Sequence, residues 1–140
     1  MLRNLTFQAK RENLPQMLTQ ITAEISKYVT DDIWLNRLKL CAEEILVNII
    51  DYSGSEKLYI SCEYVESEKA LKFEFADEGK PYNPLANDTE VDVDAEMEDR
   101  TIGGLGIFLY TTIMDKMAYK YENGKNYLMA TKNLDAGEVN

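Results

Sequence analysis

The sequence predicts an α+β domain: a two-layer sandwich whose mixed, mostly antiparallel sheet is covered by helices on one face. Two observations carry this. Short alternating apolar runs come as neighbours separated by turn signals, the mark of hairpins, while three runs with apolar residues three and four apart stand between them. The order along the chain is β-α-α-β-β-lid-α-β-β, without the regular alternation that a doubly wound parallel sheet needs. With 140 residues there is enough chain for one domain with a real core and too little for two.

Leu2 to Phe7 reads as an edge strand. Asn13-Leu14-Pro15 reads as a helix start, with a capping amide and a proline in the first turn, where its missing N–H does no harm. Leu14, Leu18, Ile21, Ile25 and Tyr28 then recur at helical spacing, predicting an amphipathic helix to about Val29. Thr30-Asp31-Asp32 is the break and the next cap. A second helix is expected from Ile33 to Asp51, with an apolar stripe of Leu38, Cys41, Ala42, Ile45 and Ile49. Leu58, Ile60, Cys62 and Tyr64 alternate as a strand, as do Leu71, Phe73 and Phe75 beyond a polar turn over 66–69. Leu105, Phe108, Leu109, Thr112 and Ile113 make a third helix, opened by glycines. Met117, Tyr119 and Tyr121 form a strand, Asn123-Gly124 a hairpin turn, and Tyr127, Met129 and Thr131 the returning strand. A single domain spans 1–134, with a lid over about 84–102 and a frayed tail over 135–140.

Composition removes several function classes. There is no histidine, which excludes His-dependent triads, most zinc sites and a phosphohistidine relay on this chain. The net charge of −10 argues against nonspecific binding to nucleic acid or to an anionic membrane surface. That charge is concentrated: Asp88, Glu90, Asp92, Asp94, Glu96, Glu98 and Asp99 form a run without a base, and without those seven acids the net charge is −3. This run lacks the glycine of a calcium loop, so a solvated or partner-contacting lid is expected. No apolar run is long enough to span a bilayer and the start shows no signal-peptide core, so a cytoplasmic protein is expected. Cys41 and Cys62 sit within apolar patterns and read as buried free thiols in a reducing compartment.

Three segments could carry chemistry. On the second helix Glu44, Asn48 and Asp51 fall together at the rim of the apolar stripe. Such residues are ordinarily a solvated flank, but Asn48 is embedded in Ile45-Leu-Val-Asn48-Ile-Ile, where an amide must find a partner. A hard cation would suit it, since magnesium takes only one or two protein oxygens. Asp77, at a strand end, is an acceptor suited to an exocyclic amine, and Gly79 lets a flat ring approach the backbone, although Asp-Glu-Gly is also a common turn. Gly103-Gly104-Leu-Gly106 precedes a helix, where bare N–H groups can bind phosphate oxygens; a plain hinge has the same composition. It is neither a Walker loop nor a dinucleotide fingerprint.

In one chain and in this order, Glu44-Ile-Leu-Val-Asn48-Ile-Ile-Asp-Tyr-Ser53, Asp77-Glu-Gly79-Lys-Pro81-Tyr-Asn83 and Gly103-Gly104-Leu-Gly106-Ile107 resemble the nucleotide boxes of the gyrase, chaperone and histidine-kinase ATPase superfamily. Pro81-Tyr-Asn83, Gly-Gly-Leu-Gly-Ile-Phe-Leu and Met114-Asp115 are most similar to one branch, the anti-sigma-factor serine/threonine kinases of bacterial partner-switching systems. The resemblance runs from Leu2 to about Asn133 and implies the histidine-kinase-like ATPase (Bergerat) fold. It implies ATP and Mg²⁺ as cofactors, with Asn48 on the metal and Glu44 as the base or the residue orienting the attacking hydroxyl. It further implies Asp77, Gly79 and Asn83 about the nucleoside, and Gly103, Gly104, Leu105, Gly106 and Ile107 about the phosphates. The implied reaction passes the γ-phosphate to a serine or threonine of an anti-anti-sigma antagonist protein. The implied partners are that antagonist, a sigma factor or analogous regulator, and a second copy paired through the sheet side.

The chain departs from the branch at three places. Asp51 stands where many relatives carry a lysine, Arg100 and Lys80 are the only bases about the acidic lid, and Lys125-Asn126 replaces a threonine after the hairpin glycine. Fewer cations then offset the charge of ATP. A nucleotide-gated protein-binding switch with little or no phosphotransfer is therefore the competing expectation. A detached histidine-kinase catalytic domain, acting on another protein's histidine, is a third. A gyrase-like ATPase would need room for a transducer domain.

Overall fold

The computed structural model describes residues 1–86 and 105–134. Five strands form one sheet: β1 (Leu2–Gln8), β2 (Lys57–Val65), β3 (Ala70–Asp77), β4 (Lys116–Glu122) and β5 (Lys125–Asn133), in the order β1-β2-β3-β5-β4. Each neighbouring pair is antiparallel, so the sheet is antiparallel throughout rather than mixed. Among the described residues three helices, α1 (Leu14–Ile25), α2 (Asp32–Tyr52) and α3 (Leu105–Ile113), complete the α+β architecture, α2 touching both of the others.

The layers follow from the two periods. In β5, Asn126, Leu128, Ala130 and Lys132 are buried and alternate with half-buried Tyr127, Met129 and Thr131. The inward set is thus one residue out of step with the apolar residues that marked this strand in the sequence. Phe73 and Phe75 of β3 and Ile60 and Cys62 of β2 lie in register with it and pack under Leu38, Cys41, Ile45 and Leu46 of α2. Met17, Ile21 and Ile25 close the core from α1.

The helix ends show how local chemistry decides boundaries. Asp31 caps α2, its Oδ1 accepting from Ile33 N at 2.8 Å and Trp34 N at 3.3 Å. Asn13 does not cap α1 with its side chain; its Nδ2 donates instead to Gln8 O across the turn, at 3.0 Å. Helix α1 stops at Ile25, short of the expected Val29, yet Val29 is still buried because the chain folds back in a turn. At the β4–β5 hairpin Asn123 and Gly124 both have positive φ, 54° and 78°, as a type I′ turn requires.

Lys132 is 3% exposed, an unusual place for an ammonium group. Its Nζ stands 4.0 Å from the Trp34 ring centroid and 3.5 Å from both Asp115 Oδ2 and Ile113 O, so it joins the end of α3 to the start of α2. Arg37 also stacks on Trp34, 4.8 Å from its centroid. Cys41 and Cys62 are free and fully buried, as expected, and burial pushes both thiols up to about 12. No helix among the described residues is long and apolar enough to cross a membrane.

Candidate functional site

Where the end of α2 overhangs the ends of β3 and β5, the two layers part around a cavity of about 380 Å³. That size suits a small organic ligand. Helix α2 supplies Ile45, Asn48, Ile49 and Tyr52, the continuation of its apolar stripe at three- and four-residue spacing. Phe75 and Leu128 form part of the floor, Tyr110 comes from α3 and Tyr119 from β4. The segment after β3 gives a wall of Lys80, Pro81, Tyr82 and Pro84.

Asn48 and Asp77 therefore face one cavity, although they sit on different elements and different layers. Asn48 is half-buried, and its amide has no hydrogen-bond partner among the described residues. Asp77 is 6% exposed. Its Oδ1 accepts from Gly79 N at 2.8 Å and from Asn126 Nδ2 at 3.0 Å, while Oδ2 has no partner among the described residues. Two polar groups with unused capacity, set into apolar walls, are what orient a ligand in such a site. An amide oxygen is a fitting ligand for a hard cation, and a carboxylate oxygen a fitting acceptor for an amine N–H.

Asn126, noted in the sequence only as part of the Lys125-Asn126 departure, has a structural role that sequence reasoning missed. It lies directly across the ladder from Asp77 and is 7% exposed. Besides Asp77, its Nδ2 donates to Lys80 O at 2.9 Å and Gly79 O at 3.4 Å. Its Oδ1 accepts from Tyr82 N at 3.0 Å and from the Tyr119 hydroxyl. One amide thus ties the carboxylate to the wall segment, and burial raises the Tyr119 pKa above the ordinary phenol value. The signal was present: the Asn123-Gly124 turn fixes the register, and that register puts a polar residue on the inward face of β5.

The other expected residues fall as follows. Glu44 is half-buried one turn before Asn48 on α2, and the lining of the cavity begins beyond it at Ile45. Asp51 is held by Arg11 rather than turned to the cavity. Gly79 has a structural reason to lack a side chain: a Cβ there would stand 2.2 Å from Ser53 O at the end of α2. Asn83 sits between the lining residues Tyr82 and Pro84, its Oδ1 accepting from Leu85 N at 2.9 Å. Leu105 and Gly106 are the first residues of α3, and Ile107 is buried in the core. Gly103, Gly104 and Arg100, the acidic run over 88–99 and the tail over 135–140 lie outside the described residues.

Comparison with known proteins gives the family and the fold. The family model described as histidine kinase-like ATPase domain matches residues 7–132. The serine-protein kinase RsbW of Listeria monocytogenes serovar 1/2a is 31% identical over 107 residues, which cover 73% of this chain and 68% of the relative. RsbW of Halalkalibacterium halodurans is 29% identical over 115 residues, 80% of this chain and 69% of the relative. Among solved structures, the Acinetobacter baumannii histidine kinase AdeS superposes with a TM-score of 0.52 at 14% identity, covering 96% of this chain and 70% of that one. The histidine kinase domain of the Erythrobacter litoralis EL346 blue-light activated kinase gives 0.50 at 13%, covering 72% of this chain, which spans only 45% of that one. At those identities the structural likeness is one of fold.

Proposed function

The chain belongs to the histidine kinase-like ATPase domain family, in its anti-sigma kinase branch, and from that premise we propose that it is an ATP-binding regulator that phosphorylates a protein antagonist. In this reading it holds a sigma factor or analogous regulator, and it transfers the γ-phosphate of ATP to a serine or threonine of an anti-anti-sigma protein. The observation that carries the reading is the cavity shared by Asn48 and Asp77, each with a polar atom left unused by the fold.

Mg-ATP, when bound, supplies the phosphoryl group and a divalent cation that offsets its charge. Asn48 offers its amide oxygen to the cation. Asp77, steadied through Oδ1, accepts an exocyclic amine on Oδ2. Phe75, Leu128 and Tyr119 form an apolar bed for a flat base and keep water from it. Glu44 orients the acceptor hydroxyl and takes its proton, a modest task in a transfer governed by positioning. The glycine run over 103–106 lends its N–H groups to the phosphates.

The test is incubation with radiolabelled Mg-ATP and the antagonist protein. Acid-stable label on a serine or threonine of the antagonist is the expected result. Nucleotide-dependent complex formation without label would make the chain a gated switch, a reading favoured by one observation: Lys80 is the sole cation among the described lining residues. Acid-labile label on a partner's histidine would make it a histidine-kinase catalytic domain.

A further inference from the structure

Arg11 lies in the single 3-10 turn (Arg11–Asn13) between β1 and α1, and it reaches across to α2. Its guanidinium grips Asp51 with two prongs, Nε 3.1 Å from Oδ1 and an Nη nitrogen 2.5 Å from Oδ2. Asp51 follows Asn48 by three positions, and side chains at that spacing are helix-surface neighbours, with Cβ atoms about 5–6 Å apart. The next two residues, Tyr52 and Ser53, line the cavity. An unpaired carboxylate would therefore stand at the rim beside Asn48, where Lys80 is the only described lining cation to set against it.

We infer that Arg11 masks the Asp51 carboxylate at the cavity rim, and that the pair thereby sets the preference of this site for a polyanionic ligand, a nucleoside triphosphate, over an uncharged nucleoside. The inference rests on the reading above in which Asn48 marks the phosphate end. Arg11 acts through Asp51, as a positioning residue, and needs no contact with the ligand. Its side chain is 63% exposed, so the pair adds little to folding stability, and its removal unmasks a charge without opening the core.

The experiment is calorimetric titration of the full chain with Mg-ATP and, separately, with adenosine. The proteins are the unsubstituted chain, Arg11→Ala, Asp51→Asn and the double variant. Arg11→Ala is expected to weaken Mg-ATP about five- to tenfold, the scale of one exposed charge acting on a nearby dianion. Adenosine affinity should hold, and the Mg-ATP loss should shrink at about 0.5 M salt, where the screening length is only a few Å. Adding Asp51→Asn to Arg11→Ala should restore Mg-ATP affinity. Equal losses for ATP and adenosine, unchanged ATP affinity in Arg11→Ala, or no recovery in the double variant would overturn the masking role while leaving the ATP site standing. Failure of the unsubstituted chain to bind Mg-ATP at all would overturn the functional reading itself, and the masking role with it.

Discussion

Asn48 occupies a place where the apolar stripe of α2 would otherwise continue, and nothing described in the fold satisfies its amide. A group with no structural partner costs little to remove, so Asn48→Ala should leave the thermal midpoint unchanged. The same substitution should weaken Mg-ATP about ten- to hundredfold, the worth of one bond to a charged group. Equilibrium titration with and without Mg²⁺ checks it, and unchanged Mg-ATP affinity would remove Asn48 from the site. Asp77→Asn tests the other end. Its effect should fall on ATP and spare GTP, because an amide at that position can face a ring oxygen as readily as an amine. Equal losses for the two nucleotides would count against the base contact. Both residues were legible in the sequence because each broke a pattern: a lone amide in an apolar helix face, a lone acid at the end of an apolar strand. Asn126 was legible only as a departure from the branch, because its five partners lie in two stretches remote along the chain, residues 77–82 and Tyr119, and only the hairpin register hints that it faces them.

The segment just after β3 and the residue that ends α2 meet at Gly79 and Ser53, and the contact is backbone against backbone. A Cβ at 79 would meet the Ser53 carbonyl at 2.2 Å, and neither side is a flexible side-chain end that could swing away. Gly79→Ala should therefore lower stability by about 1–3 kcal/mol, the usual cost of overpacking, and widen the cavity mouth. Urea unfolding, set beside Gly54→Ala, measures it. Gly54 has φ of 73° but open space about its Cβ position, so the pair separates crowding from backbone strain. Asn126→Ala should cost about 2–3 kcal/mol in the same assay, since it leaves the Tyr82 N–H and the Tyr119 hydroxyl without an acceptor. Element existence and order were readable because periods of two and three to four rarely mimic each other. Boundaries were not. Asn13 looked like a cap but its amide finds a better acceptor in Gln8 O, a contact that exists only once β1 and α1 are placed. The inward set of β5 was also hidden, since Tyr127 and Met129 look as apolar as Leu128 and Ala130 until the hairpin register decides between them.

For the molecule as a whole, the two buried thiols predict an alkaline limit. Burial raises Cys41 and Cys62 from 9.0 to about 12, so between these values the folded chain holds protons that the unfolded chain has released. Stability must then fall as pH rises through that window, and the thiol contribution is fully present below pH 9. Guanidinium unfolding at pH 7.5 and about pH 10 should show the loss, and a Cys41→Ala, Cys62→Ala variant should show a shallower slope. An equal slope in that variant would exclude the thiols as its source. The two-layer architecture was legible from the order of elements alone, since antiparallel hairpins and amphipathic helices admit few other arrangements. The pairing of the last hairpin through β5 with the far side of β3, which brings Asp77 beside Asn126, was not, because strand order is set by tertiary packing.

Trp34 is the chain's single indole, and it is pressed by Lys132 from β5 and Arg37 from its own helix. Because Lys132 also grips the closing carbonyl of α3, any slide of that helix along the sheet must disturb the ring's electrostatic surroundings. The molecule thus carries its own optical gauge at the far end from the ligand cleft. Emission colour and intensity at 295 nm excitation, followed while nucleotide is added, will register whether α3 travels or stays, with no dye attached.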